Sequence, residues 1–155
     1  MDWTVKQKRG KAIDTRIKEA LFKKVEEEPF AKKFGLKLLD LEEGYSKVTM
    51  TFTPDMENIF SMAHGGAIFA LIDEAFQTAC NAYGTIAVAL NIHVTYVSSP
   101  LPGSQLISEA KEFSRTKKTA NYDIKVTDEQ GNLIATCQAL AFRLGKPLPF
   151  LKSLD

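Results

Sequence analysis

Residues 63 to 83 read Ala-His-Gly-Gly-Ala-Ile-Phe-Ala-Leu-Ile-Asp-Glu-Ala-Phe-Gln-Thr-Ala-Cys-Asn-Ala-Tyr, and Gly84 follows. From Gly65 this is a strongly apolar run of helical length, free of proline, with a glycine where a helix ends. At about 100° per residue, Ile68, Leu71, Ile72, Ala75 and Ala79 share one face, which predicts a helix buried against a sheet. Phe69, Phe76 and Cys80 form a flanking stripe that takes in Asp73, whereas Glu74 falls with Ala70, Gln77, Thr78 and Asn81 on the opposite side. The wheel therefore sets Asp73 among apolar groups and Glu74 in water.

The period changes on both sides of this helix. Residues 36–41 and 47–53, with Val48, Met50 and Phe52 alternating, read as two strands joined through Glu42-Glu43-Gly44. Downstream, residues 85–98, 105–114, 119–127 and 133–144 are strand-like, separated by a Pro100-Leu101-Pro102-Gly103 loop and by Asp128-Glu129-Gln130-Gly131-Asn132, which has hairpin chemistry. Two strands, one long buried helix and a run of antiparallel strands predict an α+β fold with the helix on one face of the sheet. Upstream, Ile13, Ile17, Leu21 and Val25 recur four apart among charges, an amphipathic helix that should stop or restart around Pro29. The chain thus divides into an N-terminal amphipathic helical extension, residues 1–34, and a domain over residues 35–155.

A chain of 155 residues can bury one good core, and its 45% hydrophobic and 25% charged residues are ordinary for a soluble domain. The longest apolar stretches, 67–72 and 86–90, fall far short of the roughly 20 residues of a spanning helix, so no membrane segment is expected. Lys6, Lys8, Arg9 and Lys11 precede no apolar core, which argues against a secretory signal and for the cytoplasm. Cys80 and Cys137 each sit in an apolar run and read as reduced, packed thiols. The net charge is +1, and the basic residues of the first segment alternate with Asp14, Glu19 and Glu26 to Glu28, with no aromatic platform beside them. That is a solvated helix face and not a nucleic-acid site.

Two places carry candidate chemistry. A carboxylate among phenylalanines is desolvated, which raises its pKa as a general base requires; equally, Asp73 is open to a hydrogen-bonded role at a subunit contact. Gly65 and Gly66 leave the first N–H groups of the helix open, and such donors, with the helix dipole behind them, stabilise a developing oxyanion. Paired glycines also simply make tight turns, His64 before a helix can be a cap, and Asn58 can be a turn residue. Neither cysteine has a histidine near it in sequence, His93 lies mid-strand, and two histidines without clustered partners supply too few metal ligands. No cofactor or metal is expected.

The segment from Asn58 to Asn81 resembles the hotdog-fold acyl-CoA thioesterases of the phenylacetate-pathway, or PaaI-type, group. In that group an Asn precedes a His-Gly-Gly turn by six residues and an Asp follows the His by nine; here these are Asn58, His64-Gly65-Gly66 and Asp73. Thr95-Tyr96-Val97 and Asn121-Tyr122-Asp123-Ile124 extend the likeness to residues 35–145. The resemblance implies a long central helix wrapped by an antiparallel sheet, homodimers with a sheet continuous across two subunits, and often tetramers built as dimers of dimers. It implies hydrolysis of acyl-CoA to a free acid and CoA. Asp73 would be the base or the nucleophile, the Gly65 N–H would polarise the thioester carbonyl, and His64 and Asn58 would orient the turn and the water.

Some relatives place a Ser or Thr of the next strand near the acid, where Ala89 stands here, and the N-terminal helical segment is longer than the compact family core. Gly66, Phe69 and Phe76 are substrate-binding candidates; Phe69, Phe76, Phe60 and Ile59 suit an aromatic or a fatty-acyl group equally well. Arg115, Lys117 and Lys118 cluster at a turn where they could hold the CoA phosphates, or where they are simply solvated. Gly65 and Asp73 stand about 12 Å apart along one helix, too far to act on one thioester, so two antiparallel helices related by a twofold axis are expected to share each site. A non-catalytic acyl-CoA binding or sensing module on the same fold is the rival reading. A hydratase would want a better-placed histidine than His93.

Overall fold

The structure is a computed structural model and describes residues 11–151; the basic residues Lys6, Lys8 and Arg9, and residues 1–10 of the N-terminal segment generally, lie outside the described residues. Helix α1 (Thr15–Glu27) starts at Asp14, whose side chain accepts from the Arg16 N–H, and it ends at Glu28, the residue before Pro29. The helical pattern restarts as α2 (Pro29–Phe34), with proline at the first position, where its missing N–H costs nothing. The strip Ile13, Ile17, Leu21 and Val25 faces the core, with Leu21 and Val25 fully buried. Glu42 clamps α1 to the first strand by accepting from the Ile13 N–H and from Lys18.

Strands β1 (Lys37–Glu42), β2 (Tyr45–Thr51), β3 (Thr85–Tyr96), β4 (Gln105–Arg115), β5 (Thr119–Thr127) and β6 (Leu133–Pro147) form one antiparallel sheet in the order β1-β2-β4-β5-β6-β3. Helix α3 (Gly65–Asn81) lies between β2 and β3 in sequence and packs along the concave face of the sheet. This is the hotdog arrangement. Val48, Met50 and Phe52 alternate into the core as their spacing requires, and the small Ala135, Cys137, Ala139 and Ala141 of β6 let the sheet close around the helix. Gly84 ends the helical turn with φ +77°, a conformation strained for any side chain, and an added Cβ would also push the Ile17 methyl at 2.6 Å aside.

The phase of α3 needs one correction. Ile68, Leu71, Ile72, Ala75 and Ala79 are buried as the wheel requires, but so are Ala70, Glu74, Thr78 and Asn81 on the face assigned to water; Glu74 is only 3% exposed. Of that face only Gln77 is exposed. The polar groups are spent inside the protein. Thr78 Oγ1 donates to the Glu74 carbonyl, Ser46 Oγ donates to the Ala75 carbonyl, and Asn81 exchanges two hydrogen bonds with the backbone of Ala87. A helical wheel counts side-chain polarity and cannot know that a curled sheet and α2 enclose both sides.

Candidate active site

The loop before α3 is built by Asn58. Its Oδ1 accepts from the N–H groups of Phe60 (2.8 Å) and Met62 (3.1 Å), and its own N–H donates to the Met62 carbonyl. The chain then pairs Glu57 with Ala63, and the Ala63 N–H donates to Ser99 Oγ. His64 is the N-cap of α3: its Nδ1 accepts from the Gly66 N–H at 2.9 Å, and its backbone N–H donates to Met56. With Gly66 engaged by His64 and with Ala67 and Ile68 directed at the His64 carbonyl, Gly65 is left as the first-turn N–H that no described residue accepts.

Tyr96, at the end of β3, completes this turn. Its hydroxyl donates to the Gly65 carbonyl at 3.0 Å, and a Cβ added to Gly65 would stand 3.0 Å from the ring. A side chain there would need the Tyr96 ring to give by a few tenths of an ångström, so glycine gives the turn its closest approach while leaving the N–H accessible. The sequence marked Tyr96 only within a strand and in the Thr95-Tyr96-Val97 likeness, with no site role; its contact with Gly65 depends on how β3 returns past the start of α3.

Asp73 is half-buried, and its carboxylate accepts no hydrogen bond from a described residue. Burial raises its pKa, and the Glu28 carboxylate nearby raises it further. Glu28 had no visible role in the sequence beyond standing before Pro29. In the fold it meets the middle of α3: Gln77 Nε2 donates to Glu28 at 2.9 Å and to Glu74 at 3.3 Å. Glu74, the more deeply buried acid, is pushed up to about 8 by desolvation first and then by Glu28 and Asp73, so near neutral pH it holds its proton for much of the time. Burial likewise pushes the Cys80 thiol up to about 12 and Cys137 to about 11, which leaves neither a thiolate nucleophile.

The remaining candidates are spread out. Phe76 is buried edge-on against Tyr122, with ring centroids 5.4 Å apart, and borders a groove that Asp73 also lines. Ala89 lines that groove as well. Phe69 is half-buried and does not line it, and Ile59 and Phe60, at 91% and 73% exposure, stand out from the loop. Arg115 is drawn back onto its own chain, paired with Glu112 at 3.4 Å and stacked 4.0 Å over the Tyr83 ring. Lys118 stands 5.9 Å over Phe142, and Lys117 is exposed. This turn lies at the Tyr83 end of α3, about 25 Å along the helix from Gly65, so a single chain does not bring the cations to the glycine turn. His93 is exposed on β3 opposite Gln138.

One central helix wrapped by a six-stranded antiparallel sheet is the fold that the comparisons with known proteins identify. Residues 60–135 match the thioesterase superfamily model. The acyl-coenzyme A thioesterase PaaI of Escherichia coli K12 is 33% identical over 77% of this chain and 86% of its own. A putative esterase of Archaeoglobus fulgidus is 32% identical over 86% of this chain and 85% of its own. The E. coli PaaI structure superposes with a TM-score of 0.83 at 29% identity, covering 88% of this chain and 99% of that one, so the match reaches into the N-terminal helical segment. A Streptococcus mutans protein bound to acetyl-CoA superposes at 0.69 with 26% identity, over 73% of this chain and 91% of its own. The chain belongs to the thioesterase superfamily, as an enzyme of its PaaI-type hotdog group. Among the described residues no helix is long and apolar enough to cross a membrane.

Proposed function

We propose that the protein hydrolyses acyl-CoA thioesters to a free acid and CoA, in sites shared by two chains. The observation that carries this reading is the Asp73 carboxylate, half-buried at one end of a groove, near Glu28 and without a hydrogen-bond partner among the described residues. A binding module has no use for such a group, whereas a general base needs an accessible lone pair and a raised pKa. Asp73 takes a proton from water as the water oxygen attacks the thioester carbonyl carbon. The Gly65 N–H holds the oxyanion, and the C–S bond then breaks to release CoA as the thiol, the proton returning through Asp73. His64 and Asn58 act by holding the turn that presents Gly65.

Gly65 and Asp73 stand eight residues apart on an unbroken helix, about 12 Å, while both must lie within about 3 Å of the reacting atoms. An antiparallel twofold pair of α3 helices places Gly65 of one chain opposite Asp73 of its partner and makes two equivalent sites. The edge strand β3, with its outer backbone edge unpaired and Val88, Leu90 and Tyr96 about half exposed, suits a sheet that continues across that axis. In this arrangement the acyl chain and the CoA leave the thioester in opposite directions along the helix pair. The phosphates then follow the chain that supplies Gly65 and Gly66 towards its own Arg115, Lys117 and Lys118. Two buried free thiols and CoA ester chemistry fit the cytoplasm. In this reading the hotdog domain begins at residue 35, and the described part of the N-terminal segment, residues 11–34, is a helical extension laid against it.

The test is thiol release from a panel of phenylacetyl, short, medium and long acyl-CoA esters, with Asp73→Asn as control. Turnover that falls in the variant by about 10² to 10⁴ is expected for the loss of a positioned base. Tight binding of acyl-CoA without release of thiol would replace the enzyme by a sensor.

A further inference from the structure

Beside Asp73 lies a groove of about 620 Å³. Its floor is α3 from Asp73 to Asn81, one wall is the start of β3 from Ile86 to Ala89, and the far side is Leu148 to Phe150 after β6. Its roof is α1, through Leu21 and Val25. Every other α3 residue that lines it follows Asp73, so Asp73 marks the end of the groove nearest the glycine turn. The volume falls within the range of about 300–1,000 Å³ for pockets that enclose small organic ligands, and it exceeds what a single phenyl ring fills.

Resting on the thioesterase reading, we infer that this groove takes the acyl chain of the substrate, that the preferred class is uncharged aliphatic acyl groups of medium length, and that Leu21 and Val25 on α1 determine the length accepted. The run from Asp73 to Asn81 is eight residues, about 12 Å. An extended chain advances about 1.3 Å per carbon for bonds of about 1.5 Å, which gives room for about eight to ten carbons. The small side chains Cys80, Ala87 and Ala89 leave the lumen open, while Phe76 is turned into the core against Tyr122 and does not block it. Phe60 and Phe69 are not part of this wall; the aromatic side chains that line it are Phe76, packed against Tyr122, and Phe150 on the far side.

Charge selects in the same sense. The ionisable side chains around the groove are Asp73, Glu27, Glu28 and Lys24, with Glu74 directly behind, and Lys24 leans over the Phe150 ring at 5.5 Å. An acyl group ending in a carboxylate would meet Asp73 and Glu28 with the single lining cation, Lys24, already paired with Glu27 at 3.8 Å, and it is disfavoured by repulsion and desolvation.

The experiment measures kcat/KM on saturated acyl-CoA esters from acetyl to palmitoyl, with glutaryl-CoA and phenylacetyl-CoA alongside. The enzymes are wild type, Leu21→Trp, Val25→Phe, Leu21→Ala and Val25→Ala, each checked for folding by thermal melting. In wild type kcat/KM rises about fourfold per methylene buried, up to about eight to ten carbons, and then levels off. The large replacements move that break to shorter chains, and the alanine variants move it to longer chains. Because overpacking destabilises cores, the alanine pair keeps the test decisive if a large variant fails to fold. A break that does not move in any folded variant, or glutaryl-CoA turned over as well as hexanoyl-CoA, overturns the inference while leaving the thioesterase reading intact. If no ester is hydrolysed, that reading fails instead, and calorimetry with decanoyl-CoA decides the groove: weaker binding to Val25→Phe supports it, and equal binding or none refutes it.

Discussion

Asp73→Asn and Gly65→Pro, each inactive alone, restore activity when they are combined, provided that the active site spans two chains. Asp73→Asn keeps the size of the side chain and removes the base. Gly65→Pro removes the N–H that no described residue uses, at the first position of α3, where proline is well tolerated. Two local features make that replacement feasible. His64, the residue before it, already has φ −68° and ψ 129°, the extended geometry that a following proline demands. The new Cβ would stand 3.0 Å from Tyr96, whose ring is 50% exposed and can tilt by the few tenths of an ångström required.

The magnitude follows from the helix. Since the two groups are about 12 Å apart in one chain, each site takes one from either protomer. Random reassembly makes about half the dimers mixed, each with one intact and one doubly defective site, so about a quarter of wild-type activity returns. Residual activity of the parents, at or below about one per cent if the base is worth at least 10², does not obscure this. The assay is thiol release after joint unfolding and refolding, with the mixed dimers counted by native mass spectrometry. If mixed dimers form and activity stays at the parental level, the site lies within one chain and the twofold argument is wrong.

Glu74→Gln leaves kcat within about threefold, because Glu74 is packed away from the groove, but it changes the pH dependence of stability. Burial lifts Glu74 from 4.5 to about 8, so the folded state keeps a proton that the unfolded chain releases; stability is full below about pH 4.5 and declines as pH rises to about 8. Melting temperature of the variant relative to wild type should therefore rise between pH 5 and 8.5, and a constant difference would show that the acid is not protonated in the folded protein. The raised pKa of Asp73 places the acid limb of kcat/KM above the ordinary carboxylate range, with activity lost as pH falls through it; a limb at or below pH 3.8 would contradict the desolvation seen here. Lys117→Ala and Lys118→Ala should raise KM for CoA esters and leave a small uncharged thioester unaffected, whereas Arg115→Ala should also lower the melting temperature, since Arg115 stacks on Tyr83. An unchanged KM in the two lysine variants would assign the turn to solvent.

Periodicity and punctuation determined much of this protein. The alternation of Val48, Met50 and Phe52, the glycine after the long apolar helix, and the break at Pro29 are local consequences of backbone geometry, so the elements could be read from the chain one at a time. The spacing of Asn58, His64 and Asp73 stood out through the family resemblance, while the local reading of His64 as a cap is what the fold bears out, its Nδ1 accepting from the Gly66 N–H. The surroundings of each acid belonged to the tertiary structure alone. Glu74 is enclosed because the sheet curls past it and Glu28 arrives from a residue far upstream, while Tyr96 reaches Gly65 only because β3 runs back beside the start of α3. Desolvation depends on what covers a group from every direction, and the covering residues come from segments that a single helical period cannot see.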